Sequence, residues 1–255
     1  MRRRLLSEHG MQALRHLAPA RSALVFDLDG TLAPLTARRE DARVPPATAA
    51  RLHALSRSWS IAVVTGRSAS DAAARLGFEP RCLIGNHGSE RLGPSATDNS
   101  RALQRALDSV RELLRLAASD LQTCGIEVED KSLSLALHYR RSSDPVAAVA
   151  RADELLRVTS AEVRISHGHC VVNITPLNAP DKGDAVREVL DEWGLNCALV
   201  VGDDSNDEPA FLKATPGSVT VRIGPMDVPT AAHFGLEFQN EIDQLLDVML
   251  GLQTN

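Results

Sequence analysis

Residues 24–35 read LVFDLDGTLAPL. The apolar run from Ala23 to Phe26 stops on Asp27, a second carboxylate follows at Asp29, and Gly30 and Thr31 end the stretch. A short apolar run bounded by turn residues suits a strand buried on both faces. Two acids one residue apart repel, and a desolvated carboxylate is costly unless something pairs with it. The acids are therefore either a solvated turn or the seat of a cation beside a phosphate-handling site.

The same pattern recurs along the chain. Ile61–Val64 is a second apolar strand and runs into Thr65-Gly66-Arg67. CLIGNHGSE (82–90) is a third short strand with its tail, and Ala198–Val201 a fourth, followed by GDDSNDEPAF (202–211). Helices are expected over about 4–18, from Pro45-Pro46 through Leu55, near 70–76, over DKGDAVREVLDEW (181–193) and over 241–250, with a last strand at 218–223. Alternating short strands and helices predict a parallel sheet covered on both faces. Asp27, Thr65, His87 and Asp203 then all lie just past the C-terminal ends of parallel strands, the edge where open α/β sheets bind ligands.

From Gly93 the rhythm changes. GPSATDNS (93–100) is a turn-rich link, and Leu103, Leu107, Val110, Leu114 and Leu121 carry helical spacing over about 102–121. In GIEVEDKSLSLALHYR (125–140), Leu133, Leu135, Leu137 and Tyr139 alternate with Ser132, Ser134, Ala136 and His138, the signature of a half-exposed strand paired with 125–129. A helix over 144–158 and two strands around a His167-Gly168-His169 turn complete an αββαββ unit. The expected organisation is an α/β core of residues 1–92 and 176–255 with an inserted α/β domain at 93–175.

The 255 residues, 44 % hydrophobic and 24 % charged, are ordinary for a soluble globular protein. A net charge of −5 gives no global basic field for nucleic acid, and no apolar run approaches a membrane span. MRRRLL at the start lacks the apolar core of a signal peptide and reads as a solvated helix start. Cys82, Cys124, Cys170 and Cys197 form no C-x-x-C pair and read as reduced thiols, so a cytoplasmic protein is expected. Among 28 basic residues only Lys131, Lys182 and Lys213 are lysine, which singles them out as positions that need a compact ammonium.

Asp27 and Asp29, with Asp203 and Asp207, can supply the hard-oxygen cage that Mg2+ prefers, completed by water and a substrate phosphate. Thr65, the Gly66 N–H and Lys182 at a helix start can hold phosphate oxygens. Arg67 and His87, at the same edge, join Gly66 as substrate-binding candidates. His167 and His169 read as turn residues, not a metal pair.

DLDGTLAPL, VTGR, DKG and GDDSND, in that order, resemble the four signature motifs of the haloacid dehalogenase (HAD) superfamily of phosphatases. The resemblance implies a Rossmann-like parallel-sheet core and assigns roles. Asp27 would be the nucleophile that forms an aspartyl-phosphate, and Asp29 the acid that protonates the leaving alcohol and then activates water. Thr65 and Lys182 would bind the phosphoryl group. Mg2+ would be held by Asp27, the Asp29 backbone carbonyl and Asp203, with Asp207 in support. Phosphate monoester hydrolysis needs on the order of 20 kcal/mol of catalysis, which such equipment can provide.

An insertion between the second and third motifs matches the class with a C2-type α/β cap. GNHGSE, EDKSLSLALHYR and GHCVVNITP…DKG are similar to the trehalose-6-phosphate phosphatase family over most of the chain. That similarity implies sugar contacts from Glu90, Lys131 and the open cap sheet, and a small-molecule sugar phosphate as partner, with neither nucleic acid nor membrane, in a monomer or weak oligomer. One departure stands out. Asn173 and Thr175 occupy positions where the family is expected to carry Glu and then Lys or Arg. Another sugar phosphate or a glycosyl phosphoglycerate is therefore the alternative substrate, and a receiver-like signalling module the alternative use of a phospho-accepting aspartate.

Overall fold

A computed structural model describes residues 3–91, 100–159 and 162–252. The chain divides into two compact units, residues 1–94 with 180–255, and residues 95–179.

The larger unit begins with β1 (Arg3–Arg4), α1 (Glu8–Arg15), β2 (Ser22–Phe26), α2 (Pro46–Leu55), β3 (Ser60–Val64), α3 (Ala69–Leu76), β4 (Cys82–Gly85) and β5 (Glu90–Arg91). The smaller unit follows with α4 (Ser100–Ala106), α5 (Asp108–Leu116), α6 (Ala118–Thr123), β6 (Glu127–Asp130), β7 (Leu135–His138), α7 (Pro145–Leu156), β8 (Val163–Gly168) and β9 (Val171–Pro176). The chain returns through α8 (Lys182–Trp193), β10 (Cys197–Gly202), α9 (Glu208–Leu212), β11 (Val219–Ile223), β12 (Phe234–Leu236) and α10 (Glu241–Leu252).

The large sheet has the order β1-β12-β11-β10-β2-β3-β4-β5, parallel except for the β4–β5 pair. Apart from Ser22 and Ser60 at their starts, the central strands β2 and β3 are apolar, as suits strands covered on both faces. Leu24 and Phe26 of β2 pack with Leu52 of α2 and Leu245 of α10; Ala23 and Val25 pack with Val186 and Val189 of α8. Each fully buried side chain of this size contributes about 1.5–3 kcal/mol. Pro46 opens α2, and Asp181 caps α8 in a reciprocal capping box with Asp184.

In the smaller unit the four-stranded antiparallel sheet runs β6-β7-β9-β8. Leu135, Leu137, Val172 and Ile174 form its core face with Val110, Leu114 and Ala152 from the helices. Register pairs Glu129 with Ala136, Ala136 with Asn173, and Asn173 with Ser166, which puts these residues on the opposite, polar face.

Three expectations change, and one strand was not foreseen. Arg3–Arg4 is an edge strand beside β12 rather than a solvated helix start: Leu5 is fully buried, and Arg4 binds Glu237 and Glu241. The strand β12 itself has too few residues to stand out in the sequence. The helix expected over 102–121 is three pieces. At its first break the Gln104 carbonyl accepts from Leu107 N (3.1 Å) and from the Arg111 guanidinium (2.8 Å), a side chain entering the helical ladder. The return to the larger unit falls at Pro180 rather than 176, because Leu177 N bonds Glu162 O and Ala179 packs with Leu103 and Leu133.

The segment at 39–42 is stapled to α3. Arg75 donates to the carbonyls of Glu40 (2.6 Å) and Ala42 (3.1 Å), and Asp71 holds both Arg75 and Arg67. Partial burial alone would raise the Asp71 carboxyl, but hydrogen bonds from Arg75 and Arg67 outweigh it and hold the group down at about 2. A depressed carboxyl contributes stability above its unfolded value near 3.8, and that stability is lost as pH falls through about 2. After discounting for solvent screening, Asp71→Asn is expected to cost about 1 kcal/mol at neutral pH. Urea unfolding should show the gap from wild type closing as pH drops below about 4; a gap independent of pH contradicts the assignment.

Candidate active site

Four strand ends build the site. Asp27 follows β2 and is anchored by its own N–H to Val201 O (2.9 Å) on the neighbouring β10. Lys182 is the first residue of α8, a poor place for a cation against the helix dipole. Two carboxylates offset this: Lys182 Nζ donates to Asp27 Oδ1 and to Asp207 Oδ1, both at 2.7 Å, with all three side chains buried. Asp207 also accepts at Oδ2 from the N–H groups of Asp203 and Asp204 (3.0 Å each), so it shapes the loop after β10. Gly30, at φ 80°, turns the chain after Asp29 and gives Asp203 room, because a Cβ there would overlap the Asp203 carboxylate.

Oxygens of Asp27, Asp203 and Asp207 lie within 4.8 Å of one another. Three carboxylates against one ammonium leave two negative charges in excess when all are ionised. Burial is the largest cause pushing the Asp27 carboxyl up to about 7; Lys182 opposes the rise and Asp207 adds to it. Burial, and then Asp27 and Asp207, also drive Asp203 well above the carboxylate range. Burial would lower Lys182, but Asp207 and Asp27 outweigh it and raise the ammonium. Lys182 is thus firmly charged, yet it does not suffice for the acids around it. Hard oxygen donors with a double charge deficit fit a divalent cation.

Thr65 ends β3 and is buried; its Oγ1 accepts from Arg67 N (3.2 Å), which leaves the hydroxyl proton to donate elsewhere. The 65–67 and 86–87 turns are laced together by His87 N to Thr65 O (3.0 Å) and Asn86 N to Arg67 O (2.7 Å). Asn86 and His87 both take positive φ, 48° and 59°, a strained pair of the sort found at functional sites. The His87 ring lies so close over Gly66 that a Cβ at position 66 would overlap it. Gly66 and His87 are therefore neighbours, as their shared sheet edge suggested.

Two other expected residues are engaged differently. Glu90 uses Oε2 to bind Asn86 Nδ2 (2.6 Å) and Ala69 N (3.0 Å), so it pins the strained turn to the start of α3. Arg67, expected to bind substrate, is only 3 % exposed and is taken up by Asp29, Asp71 and the Arg39 carbonyl. Its bidentate pair with Asp29 keeps the Asp29 carboxylate outside the acidic group of Asp27, Asp203 and Asp207.

In the smaller unit, Lys131 sits in the turn between β6 and β7, its side chain 7 % exposed and 3.8 Å from Glu129. Glu129 also meets His138 Nε2 at 2.9 Å. Glu129 stands two residues before Lys131, and only its place at the head of EDKSLSLALHYR marks it in the sequence. Asn173 is buried on the polar face of the sheet.

A model of the trehalose-phosphatase family matches residues 25–236, a span that contains all four strand-end clusters. The chain belongs to the trehalose-phosphatase family. It is 34 % identical over 221 residues to a probable trehalose-phosphate phosphatase of Sinorhizobium fredii, covering 84 % of this chain and 81 % of that one. It is 31 % identical over 252 residues to a Mycobacterium tuberculosis protein described as an uncharacterised glycosyl hydrolase, covering 92 % of this chain. It spans only 19 % of that relative's length. The C-terminal domain of C. albicans trehalose-6-phosphate phosphatase superposes with a TM-score of 0.83 at 20 % identity, covering 99 % of both chains, which shows a shared fold. Family and HAD-type fold thus agree with the motifs. Among the described residues no helix is long and apolar enough to cross a membrane.

The excess negative charge makes a metal test direct. A carboxyl raised by burial contributes stability that is full below its unfolded value near 3.8 and is lost as pH rises through about 7. Metal-free protein is therefore expected to lose stability as pH rises through that window. Saturating Mg2+ near pH 8 should raise Tm by about 5–10 °C, the shift for roughly 2.7 kcal/mol of ligand binding in a chain of this size. Asp203→Asn should abolish the metal shift while raising the metal-free Tm. A metal-free Asp203→Asn protein less stable than wild type would contradict the electrostatic account.

Proposed function

We propose that the protein is a Mg2+-dependent phosphatase that hydrolyses trehalose 6-phosphate to trehalose and phosphate. The observation that carries the reading is a buried carboxylate, Asp27, held by Lys182 beside a second carboxylate at the ligand-binding edge of the sheet. Family membership supports the chemistry, and the Sinorhizobium relative's name supports the sugar.

In this reading an Asp27 carboxylate oxygen attacks phosphorus as the sugar oxygen leaves, which forms an aspartyl-phosphate. Asp29 gives its proton to the leaving oxygen, then takes one from the water that attacks phosphorus and frees Asp27. Lys182 holds one Asp27 oxygen and with it the plane of the carboxylate, and is charged to meet the phosphoryl oxygens. The Thr65 hydroxyl donates to a second phosphoryl oxygen. Mg2+ held by Asp27, Asp203 and the Asp29 carbonyl, with Asp207 in support, would neutralise charge on the transferring group. Lys131 and Asn173 on the smaller unit read the sugar. Gly66 and His87 line the phosphate edge.

A receiver-like module has no use for a second acid at Asp29 or for the inserted domain, so turnover is expected. Asp27→Asn should reduce phosphate release by on the order of 10⁵-fold or more with the fold intact. Lys131→Ala should raise KM for trehalose 6-phosphate and leave p-nitrophenyl phosphate hydrolysis unchanged, because the aryl group offers nothing for a sugar-binding ammonium. The buried amide at Asn173 favours a second reading, in which another sugar phosphate or a glycosyl phosphoglycerate is preferred. A panel of such esters decides between them: trehalose 6-phosphate is expected to give the highest kcat/KM, and a better ester would overturn the trehalose assignment and keep the phosphatase.

A further inference from the structure

The side chain of Arg67 forms a closed set of contacts. Nε donates to Asp29 Oδ2 (2.6 Å) and Nη2 to Asp29 Oδ1 (2.7 Å), a fork-on-fork pair that engages both oxygens. Nη2 also donates to the Arg39 carbonyl (2.7 Å), and Nη1 to Asp71 Oδ2 (2.7 Å). Asp71 in turn accepts at Oδ1 from Arg75 Nε (2.9 Å) and Nη2 (2.7 Å). Asp29 thus stands at one end of a line of charge-assisted bonds that runs through Arg67 and Asp71 to Arg75.

A carboxylate in a turn has two soft torsions, and general acid–base transfer tolerates little error in where its oxygen stands. A bidentate guanidinium fixes both the plane and the reach of the ionised group, the form that takes a proton from water; to protonate the leaving oxygen, Asp29 must first release one of the two contacts and take up a proton there. Lysine in that place would give one point contact and could not also hold Asp71. We propose that Arg67 is a positioning residue for the reaction: without touching substrate, it sets where the Asp29 carboxylate stands, and Asp71 holds it to that task. The inference rests on the reading of Asp29 as the acid–base group.

The consequence is selective. Phosphorylation of Asp27 by an aryl phosphate needs no proton for its leaving group, whereas sugar release and the attack of water both need Asp29. Arg67→Gln is therefore expected to lower kcat on trehalose 6-phosphate by on the order of 100-fold with KM within about threefold. With p-nitrophenyl phosphate it should keep a first-turnover burst of p-nitrophenol and slow only the steady state. In an Asp29→Asn background, adding Arg67→Gln should change the rate by less than about twofold, because the arginine acts through the acid that is already gone. Arg75→Gln, which loosens the 39–42 segment and leaves the Arg67–Asp29 pair, should lose stability and keep wild-type kinetics. Arg67→Lys covers failure of Arg67→Gln to fold, and should show the same burst with a partial loss of kcat.

Additive losses in the double variant would overturn the proposal. So would a rise in KM without a fall in kcat, which would make Arg67 a substrate contact, or a burst signature in Arg75→Gln equal to that of Arg67→Gln. Full activity of Asp29→Asn alone on trehalose 6-phosphate would overturn the acid–base reading beneath it.

Discussion

Three carboxylates and one ammonium share the C-terminal edge of the large sheet, and their charges do not balance. Lys182 satisfies one oxygen of Asp27 and one of Asp207. Asp203 stands beside them and, among the described residues, its carboxylate accepts from the neutral Thr31 hydroxyl (3.4 Å) rather than from a cation; burial works against both it and Asp27. A desolvated excess of negative charge is unfavourable for folding and favourable for capturing a divalent cation. The rest of the larger unit holds this unfavourable group together.

The sheet topology explains how. β2 and β10 lie side by side and in parallel register, so Asp27 and Asp203, far apart in sequence, emerge from adjacent strand ends. α8 starts at the same edge and delivers Lys182 from its first position, where Lys213 clamps the cap residue Asp181 (2.8 Å) and its partner Asp184 (2.6 Å). The third unusual lysine thus has a structural task. Apolar packing on both sheet faces provides the stability that the charged edge consumes. The inserted unit has its own core, so its polar sheet face can vary without disturbing the acids.

The strand-end polar residues Asp27, Thr65, His87 and Asp203 were legible because each follows an apolar run, and the pattern repeats at four places. Lys182 was legible because lysine is so scarce. The inserted unit announced itself through the strict alternation at 133–139. Arg67 and Glu90 show where such reading stops. Both belong to recognisable motifs, yet their partners, Asp29, Asp71, Asn86 and the start of α3, are set by how loops fold over the sheet edge. Arg67–Asp71 and Asn86–Glu90 are each four residues apart, but no local pattern encodes the pairing of Arg67 with Asp29 or of Glu90 with the start of α3. The edge strand at Arg3–Arg4 escaped notice for the same reason: its strand character comes from β12, more than two hundred residues away in sequence. The break of the long helix at Leu107 likewise depends on a side chain, Arg111, reaching back to a carbonyl.

In the proposed reaction Asp27 receives the phosphoryl group with a divalent cation held beside it. A crystal structure of the protein grown with Mg2+ and beryllium fluoride, a mimic of a phosphoryl group bonded to a carboxylate, tests this arrangement. The expected result is a tetrahedral fluoride group on an Asp27 oxygen, Lys182 and Thr65 donating to its fluorines, and Mg2+ coordinated by Asp27 and Asp203. A Mg2+-loaded structure with the fluoride group on any other side chain, or with Asp27 unmodified, would contradict it.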